Sequence, residues 1–488
     1  MGEVESRVEG QVPNPMKPGA AYTASRIDHW NSLAQRMDSW SSQGKYYHRR
    51  LEEIFGNLVP PGQRVLEIGC GRGDLLAALK PGFGVGVDFS VDMVRRASAR
   101  HPELRIVRAD AHALPLEGPF DAIILSDLVN DLWDVERAFA EVGRLADRST
   151  RIILNAYSRL WEAPLEVTRR LGLSKPTLYE NWLTVEDLTN LLQLVGLECV
   201  RAWPEVLLPL PIPGAATIAN KVLVRFWPFR EFGMTNFLVA RPAPRRVPDQ
   251  PSVSVIVPAR NEAGNIRQIF ERIPAMGRET EIIFVEGHST DRTYEAIQEH
   301  LPLAGSRSCL LLRQEGSGKG DAVRLGFSRA TGDVLMILDA DLTVHPESLP
   351  RFYEALVAGR GELINGVRLV YPMEDEAMRF FNLVGNRFFS VVFSWLLGQN
   401  VKDTLCGTKV LWRQDYERIA ANRSYFGELD PFGDFDLLFG AARLNLKIVD
   451  MPIRYGERTY GSTNIQRWRH GWLLLRMARL GFLRLKVV

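Results

Sequence analysis

The stretch Val334-Leu335-Met336-Ile337-Leu338-Asp339-Ala340-Asp341 is an apolar run that ends on two carboxylates, and it is the most informative segment for the fold of the second half. A run of this length predicts a buried strand. Because side chains alternate along a strand, Asp339 and Asp341 are expected on the same side at its end. Two carboxylates suit a hard cation such as Mg²⁺ or Mn²⁺, which commonly takes its remaining ligands from a substrate diphosphate. The simpler alternative is a strand followed by an Asp that caps a helix.

Length and composition predict two domains and no nucleic-acid partner. The chain has 488 residues, more than the roughly 250–300 that one hydrophobic core supports. Its net charge of +2 and its 24% of charged residues are ordinary for a soluble globular protein. The cysteines form no Cys-x-x-Cys pair, which favours a reducing, cytoplasmic compartment over a zinc site or disulfide framework. No stretch reaches the ~18 uncharged apolar residues of a membrane-spanning helix.

Polar residues follow successive predicted strands in the first half. Residues 64–79 predict a strand, a glycine-rich turn and a helix, and strands at 84–87 and 104–109 lead to Asp88 and Asp110. In an open α/β sheet the carboxyl ends of the strands form the ligand-binding edge. The sequence therefore predicts a nucleotide-type site at this edge.

The glycine-rich turn departs from the dinucleotide fingerprint, whose third glycine would stand at Asp74. Four motifs occur in order: Val65-Leu-Glu-Ile-Gly-Cys-Gly-Arg-Gly, Val87-Asp-Phe-Ser, Ala109-Asp-Ala and Phe120-Asp-Ala-Ile-Ile-Leu-Ser-Asp. Together they resemble class I S-adenosylmethionine-dependent methyltransferases over about residues 40–240.

That resemblance implies an S-adenosylmethionine site with distinct parts. They are Glu67, Gly69, Gly71 and Gly73 at the methionine portion, Asp88 at the ribose, Asp110 and Ala111 at the adenine, and Ser126 and Asp127 closing the site. Taken singly, each residue could instead be a strand-end cap or a turn glycine. The methyl acceptor is not indicated; residues near the cofactor motifs are His29, Tyr46, Tyr47, His112 and Asp131.

A proline-rich stretch divides the chain. Residues 241–251 predict a semi-rigid linker between a methyltransferase-like domain, 1–240, and a second domain, 252–464. Both domains are predicted to be α/β, each a doubly wound, Rossmann-like sheet. Residues 465–488 predict a basic amphipathic C-terminal helix.

The second half repeats the pattern of strand, polar turn and helix. Its motifs are Val257-Pro-Ala-Arg-Asn-Glu, Val285-Glu-Gly-His-Ser-Thr-Asp, Gly318-Lys-Gly and Leu338-Asp-Ala-Asp-Leu. They resemble family 2 glycosyltransferases of the GT-A fold, and within these the dolichyl- or polyprenyl-phosphate sugar synthases, over about residues 250–465. The glycine motif lacks the full P-loop spacing, which argues against an ATPase.

The resemblance implies an inverting transfer from a nucleotide-diphosphate sugar that depends on Mg²⁺ or Mn²⁺. The implied donor-site residues are Pro258, Arg260 and Glu262 bordering the nucleotide, Glu286 at the base, Lys319 near the diphosphate, and Asp339 and Asp341 at the ribose and the metal, with Asp341 as the direct ligand. Gly287 stands where the family often has a second acid, which leaves UDP and GDP both open.

The acceptor is predicted to be either a polyprenyl phosphate or a glycan hydroxyl. A hydroxyl needs a general base, and Asp436 aligns with the family's acidic position, with a helix N-cap as its alternative. A lipid phosphate needs cations instead, for which Arg368 and Arg458 are candidates. Thr463 and Asn464 replace the Ser-Lys pair of the polyprenyl-phosphate enzymes, which weakens the lipid-phosphate case.

The C-terminal residues 465–488 contain six Arg or Lys residues and no acid, interleaved with Trp and Leu. Such a helix predicts either peripheral contact with the cytoplasmic face of a membrane or a closing helix with arginines reaching outward. The sequence as a whole predicts a bifunctional transferase. The alternatives are a glycosyltransferase with a non-catalytic S-adenosylmethionine-binding scaffold, and a nucleotide-binding protein without turnover.

Overall fold

The computed structural model describes residues 19–36, 43–170, 178, 180–243, 247, 249–368, 380–425, 433–454, 456, 458, 460 and 467–487. The chain divides into two compact units after Pro242. Each unit contains one seven-stranded mixed sheet with helices on both faces. The prediction of two α/β domains is confirmed.

The first unit is built on a sheet of order β3-β2-β1-β4-β5-β7-β6, in which β7 alone runs antiparallel to its neighbours. Its strands are β1 Arg64–Ile68, β2 Phe83–Asp88, β3 Arg105–Arg108, β4 Ala122–Ser126, β5 Arg151–Tyr157, β6 Leu197–Glu205 and β7 Thr235–Pro242. Its helices are α1 Gly19–Arg36, α2 Gln43–Leu58, α3 Asp74–Ala78, α4 Val91–Arg100, α5 Val135–Arg144, α6 Glu162–Arg170, α7 Val185–Leu194 and α8 Ala215–Lys221. Strand β7 includes the first two residues of the predicted linker.

Strands buried on both faces explain the apolar runs of the first unit. Along β5, Ile152 packs in the cluster that includes α5 and α7, whereas Ile153 packs in the cluster on the other face, which includes α2. Parallel strands covered on both sides read as continuous apolar sequence rather than alternating sequence. Their carboxyl ends lie along one edge, to which the motif loops are attached.

The second unit has a sheet of order β10-β9-β8-β11-β13-β12-β14, with β13 antiparallel to β11 and β12. Its strands are β8 Val253–Ala259, β9 Thr280–Glu286, β10 Ser308–Arg313, β11 Val334–Ile337, β12 Leu363–Val367, β13 Lys409–Trp412 and β14 Ile448–Pro452. Its helices are α9 Ile266–Arg272, α10 Thr293–His300, α11 Lys319–Arg329, α12 Leu349–Val357, α13 Phe380–Leu397, α14 Arg413–Ala421, α15 Asp434–Arg443 and α16 Arg467–Gly481.

The apolar run at 334–341 forms the central strand β11 but ends earlier than its pattern predicts. Val334 and Met336 pack on one face of the sheet, and Leu335 and Ile337 pack on the other. The strand stops at Ile337, and a turn closed by the Leu342 N–H donating to the Asp339 carbonyl at 3.3 Å follows. The prediction that the strand extends to the two acids is therefore wrong, and strand alternation does not determine where their side chains lie.

Within the described residues, no helix is both long and apolar enough to cross a membrane.

Candidate functional site

An open cavity lies at the carboxyl ends of β1 and β2 in the first unit. Its walls come from the motif loops and from α1. They comprise Tyr22, Thr23, Arg26, Ile68, Gly69, Val87, Asp88, Phe89, Ala109, Asp110, Ala111, His112, Leu128, Asp131, Leu132 and Trp133. The structure thus brings together four of the predicted cofactor residues: Gly69, Asp88, Asp110 and Ala111.

Asp88 is held at the end of β2 by backbone donors. Its Oδ2 accepts from the Gly71 N–H at 2.9 Å and its Oδ1 accepts from the Ser90 N–H at 2.9 Å. Burial raises the pKa of this carboxyl to about 6, and the two hydrogen bonds partly oppose the rise. A buried acid fixed in this way suits the hydroxyls of a ribose.

Asp110 is fixed by its neighbour His112. The carboxylate Oδ1 lies 2.5 Å from Nδ1 of the imidazole, while Nε2 accepts from the Asp134 N–H at 3.2 Å. Because Nε2 of His112 accepts a hydrogen bond, the ring proton lies on Nδ1, and Nδ1 donates it to Asp110. This hydrogen bond is the main reason that the pKa of Asp110 is lowered.

The other predicted cofactor residues support the site without lining the cavity. Glu67 Oε2 accepts from the Leu76 N–H of α3 at 3.1 Å, and burial raises the pKa of Glu67 to about 8. Gly73 precedes α3 with φ 75°, a conformation that favours glycine. Asp127 accepts from the Tyr47 hydroxyl at 2.9 Å and from Asn155 Nδ2 at 2.5 Å.

Helix α1 forms a wall of the cavity that the motifs did not reveal. Asp131 forms an ion pair with Arg26 and accepts from Trp30 Nε1 at 2.7 Å. The Arg26 guanidinium lies 4.5 Å from the centre of the Tyr22 ring. In the sequence, Tyr22 and Trp30 of this helix have no spacing that marks a binding site.

Binding of S-adenosylhomocysteine is expected to weaken at acidic pH. Because the pKa of Asp88 is about 6, its carboxyl is protonated below that pH. Only the ionised carboxylate, above that pH, can accept hydrogen bonds from ribose hydroxyls with both oxygens. The affinity should be constant above about pH 7 and fall up to about tenfold per pH unit well below 6. Calorimetric titration from pH 5 to 8 measures it. The Asp88→Asn variant should bind S-adenosylhomocysteine more weakly, and its affinity should no longer change with pH. If the affinity of the variant still fell with the same slope, the assignment of Asp88 to the ribose would be refuted.

In the second unit, Asp339 faces Lys319 at the start of α11. Their Oδ1 and Nζ atoms lie 2.5 Å apart. Burial alone would raise the pKa of Asp339 and lower that of Lys319, but the mutual attraction outweighs burial and shifts both pKa values the opposite way. A Cβ at Gly407 would clash with both charged groups, so a larger residue there would displace this pair.

Asp341 belongs to a different cluster. Its Oδ1 accepts from the Thr343 hydroxyl at 2.8 Å, and its Oδ2 lies 3.4 Å from Nη2 of Arg458. The same Nη2 donates to Oε1 of Glu262 at 2.6 Å. Burial raises the pKa of Glu262 to about 7; Arg458 opposes the rise and Asp341 adds to it. Arg458, predicted to bind the acceptor, thus joins two predicted donor-site acids.

Three further predicted donor residues surround the ends of β8 and β9. Glu286 is buried, and its Oε1 accepts from the Ser289 N–H at 2.5 Å. Pro258 is half-buried near the end of β8, and Arg260 is exposed just beyond it. Parallel pairing of β8 with β9 sets Ala259 opposite Glu286, so these residues share one edge.

The acids Asp434 and Asp436 lie in the first turn of α15, about 200° apart around the helix. Asp436 accepts from Arg423 Nε at 2.8 Å. Asp434 is buried and accepts from Nζ of the fully buried Lys409 at 3.0 Å. The structure therefore directs the two acids to different partners, and sequence reasoning missed the pair formed by Lys409.

Asp434, rather than Asp436, lies beside the Asp339–Lys319 pair. A Cβ at Gly433 would lie 2.7 Å from the Cα of Gly320, so the two backbones touch. This contact sets Asp434 next to Lys319, whose pKa it helps to raise. The sequence indicates this position of Asp434 only through the glycine, Gly433, that precedes it.

Arg368 is engaged by an acid within the same unit. It donates Nε and Nη2 to the two carboxylate oxygens of Asp403 at 2.7 and 2.9 Å. Burial of Asp403 would raise its pKa, but the guanidinium outweighs that and lowers it. A bidentate pair of this kind positions a guanidinium firmly while neutralising much of its charge.

The second-unit residues fit a cation whose remaining ligands come from the substrate. Among the described side chains, no three His, Cys, Asp or Glu residues cluster as a complete metal site. Asp341 offers a partly exposed carboxylate whose Oδ2 lies 3.4 Å from the guanidinium of Arg458, which also pairs with Glu262. Asp339 lies 2.5 Å from the Lys319 ammonium, whereas Asp341 lies 3.4 Å from its guanidinium partner, which favours Asp341 as the predicted direct ligand. A hard cation there would stabilise charge on a departing diphosphate.

Each unit is similar to a known protein family. A model described as Glycosyl transferase family 2 matches residues 254–419, and one described as a Methyltransferase domain matches residues 65–148. The dolichol-phosphate mannosyltransferase of Pyrococcus furiosus is 30% identical over 221 residues, 44% of this chain and 59% of that protein. The chain spans 52–62% of the length of the first curated relatives it matches.

Two solved structures match one unit each. An S-adenosylmethionine-dependent methyltransferase from Thermotoga maritima matches 44% of this chain and 99% of its own, with 19% identity and a TM-score of 0.35. Glucosyl-3-phosphoglycerate synthase from Mycobacterium tuberculosis, in complex with Mn²⁺ and UDP, matches 49% of this chain and 81% of its own, with 20% identity and a TM-score of 0.36.

Proposed function

We propose that this chain, which joins a methyltransferase domain to a family 2 glycosyltransferase domain, carries out two transfers. The second domain moves a sugar from a nucleotide diphosphate to a polyprenyl phosphate or a glycan, with Mg²⁺ or Mn²⁺ at Asp341. The first domain moves a methyl group from S-adenosylmethionine to an acceptor that the residues do not reveal. The chain works in the cytoplasm or at the cytoplasmic face of a membrane.

The observation that carries the sugar-transfer proposal is the grouping of opposite charges after β11. Two carboxylates, Asp341 and Glu262, share one guanidinium, and the ammonium of Lys319 lies against Asp339. A cation at Asp341 together with Lys319 would offset the charge that develops on a leaving diphosphate. The dolichol-phosphate relative supports a polyprenyl-phosphate acceptor.

Radiolabelled transfer tests this proposal directly. The full chain is incubated with labelled UDP- or GDP-sugars, Mn²⁺ or Mg²⁺, and a polyprenyl phosphate in detergent. Label that becomes extractable into organic solvent supports transfer to lipid, and label in an added glycan supports a hydroxyl acceptor. Absence of transfer from every donor to both acceptor classes would refute it.

The alternative role for the first unit is a scaffold that binds S-adenosylmethionine without methyl transfer. The cavity with Asp88 and Asp110 supports binding in either case. Labelled S-adenosylmethionine incubated with glycosylated products distinguishes the two. Transfer of label supports catalysis, whereas binding without transfer across a broad acceptor panel supports the scaffold.

The relative transfer rates of two variants are expected to distinguish a phosphate acceptor from a sugar hydroxyl. With a phosphate acceptor, Arg458→Ala should lower transfer by roughly tenfold or more, because a charge-assisted hydrogen bond contributes about 1.5–3 kcal/mol. Asp436→Ala should lower it less than about threefold, since an anionic phosphate needs no base. The initial transfer rates of the two variants are compared. Donor hydrolysis without acceptor is the control, because it detects any effect on the donor site of losing the contacts of Arg458 with Asp341 and Glu262. The reverse ranking would indicate a sugar hydroxyl.

A further inference from the structure

The connection between β6 and β7 in the first unit exposes several large apolar side chains. We call residues 206–234 the β6–β7 segment; it contains α8 and two short 3₁₀ helices. Trp227 is 78% exposed. Six more large apolar side chains of the segment are at least 43% exposed: Leu210, Ile212, Ile218, Phe226, Phe229 and Phe232. Exposed groups of large apolar side chains usually mark an interaction surface.

The β6–β7 segment is anchored on α2 through Asn220, whose side chain is fully buried. Its Nδ2 donates to the Tyr46 hydroxyl at 2.9 Å and to the Leu208 carbonyl at 2.7 Å, and its Oδ1 accepts from the Leu208 N–H at 2.8 Å. Val206 and Met234, at the two ends of the segment, are buried in one core cluster. The exposed apolar side chains therefore belong to an ordered part of the fold.

The sheet places the β6–β7 segment at the edge that carries the cavity. Strands β5 and β6 both run antiparallel to β7, so they are parallel to each other. Thr235, the first residue of β7, pairs with Tyr157 at the end of β5 and with Glu205 at the end of β6. The segment therefore leaves the sheet at the carboxyl ends of the strands, where open α/β sheets bind their ligands.

Helix α2 connects the β6–β7 segment with the cavity. Tyr46 contacts Asn220 of the segment, and the next residue, Tyr47, donates its hydroxyl to Asp127 at 2.9 Å. The residue after Asp127 is Leu128, which lines the cavity. A molecule whose reacting group lies in the cavity can therefore extend over the apolar side chains of the segment.

The charged side chains of the β6–β7 segment are engaged within the first unit. Its four charged residues form three pairs: Lys221 with Glu53, Arg225 with Glu205, and Arg230 with Glu231. The segment therefore offers little charge to attract an acidic protein or the headgroups of an anionic bilayer. Its exposed apolar side chains suit a long apolar chain instead.

We infer that the methyl acceptor of the first unit is a sugar carried on a long apolar chain, and that the β6–β7 segment binds this chain. The lipid product proposed for the second unit has this combination, so one molecule would serve both domains. The inference rests on the proposed methyl transfer. In that transfer a sugar hydroxyl oxygen forms the bond to the methyl carbon as the S–CH₃ bond breaks. The sulfur keeps the electron pair of that bond, and the hydroxyl proton is released to water.

Photolabelling of the full chain tests the inference without S-adenosylmethionine. The probe is decaprenyl glucosyl phosphate with a diazirine in its prenyl chain, dispersed in a mild detergent, and labelled peptides are identified by mass spectrometry. We expect label in residues 206–234 that excess unlabelled decaprenyl glucosyl phosphate removes and glucose 1-phosphate does not. Ile218→Ser combined with Trp227→Ser should lower labelling of this segment roughly fivefold or more, because two large apolar contacts are lost.

Leu194→Ser is the matched control, because Leu194 is 62% exposed and ends α7 just before β6 begins, at the opposite edge of the sheet. It should leave labelling of residues 206–234 unchanged, and thermal melting should show that all variants are folded. Absence of label from the segment would overturn the inference, as would equal labelling by a diazirine-bearing phosphatidylcholine. So would a dimer in sedimentation that Trp227→Ser dissociates.

Methyl transfer from labelled S-adenosylmethionine is scored separately, so the two failures are distinguishable. Methylation of water-soluble glycans alone, with no methylated product extractable into organic solvent, would overturn the inference and keep the proposed methyl transfer. Photolabelling of the β6–β7 segment without any methyl transfer would support the chain-binding site and refute the proposed methyl transfer.

Discussion

Asp341→Asn is expected to lower sugar transfer from a nucleotide donor by at least about a hundredfold while preserving the fold. The asparagine can still accept from the Thr343 hydroxyl, so the turn after β11 keeps its hydrogen bond. What is lost is the carboxylate charge that would hold a cation against the leaving diphosphate. Removing one preorganised electrostatic group of this kind commonly costs about 2.7–4 kcal/mol in the transition state.

Asp333→Asn provides the matched control, because Asp333 precedes the other end of β11. Its carboxylate pairs with Arg278 and accepts from Ser252, away from the predicted donor site. Steady-state transfer rates at saturating Mn²⁺ should stay within about threefold of wild type in this control. If Asp341→Asn kept more than about a tenth of the wild-type rate, the assignment of Asp341 would be wrong.

Lys409→Met is expected to destabilise the second unit by about 3–5 kcal/mol. The substitution leaves Asp434 buried without its ammonium partner and removes the donor that reaches the Cys406 carbonyl at 2.6 Å. Removing one member of a buried ion pair costs this much because the remaining charge cannot be solvated. The double variant Lys409→Met with Asp434→Asn should recover part of the loss.

Hydrogen exchange of peptides from the second unit, followed through urea unfolding, measures this cost without interference from the first unit. Lys402→Met is the control, since Lys402 is exposed and its replacement should change stability by no more than about 0.5 kcal/mol. A cost below about 1 kcal/mol for Lys409→Met would show that the Lys409–Asp434 pair is not a significant support. Failure of the double variant to recover any stability would show that the two charges are not coupled.

Much of the architecture follows from local sequence. Apolar runs such as 334–338 are long enough to identify a strand, and the polar residues after them identify the edge that carries the sites. For this reason the two α/β sheets could be predicted, and this prediction is confirmed. The resemblances to methyltransferases and to family 2 glycosyltransferases come from the motifs after the strands, and one family model of each kind matches the chain. The cofactor, metal and acceptor residues remain predictions, although the structure groups many of them.

The partners of the site residues depend on contacts that are distant in the sequence. Arg458 reaches Glu262 across 196 positions, and no local pattern indicates that an arginine assigned to the acceptor would bind a donor-site acid. Asp434 and Asp436 belong to one motif, but they point to different sides of α15, and only Asp434 contacts Lys409. Helix α1 contributes to the cavity of the first unit through side chains that have no characteristic spacing.

A nucleotide-sugar hydrolysis screen with the full chain tests metal-dependent sugar transfer most directly, because it needs no acceptor. Each UDP- and GDP-sugar is incubated with Mg²⁺, with Mn²⁺ or with a chelator, and release of the nucleoside diphosphate is measured. We predict release from at least one donor that requires the metal and is lost in Asp341→Asn. Release that is unaffected by chelation or by that variant, or no release from any donor, would contradict a metal-dependent sugar transferase.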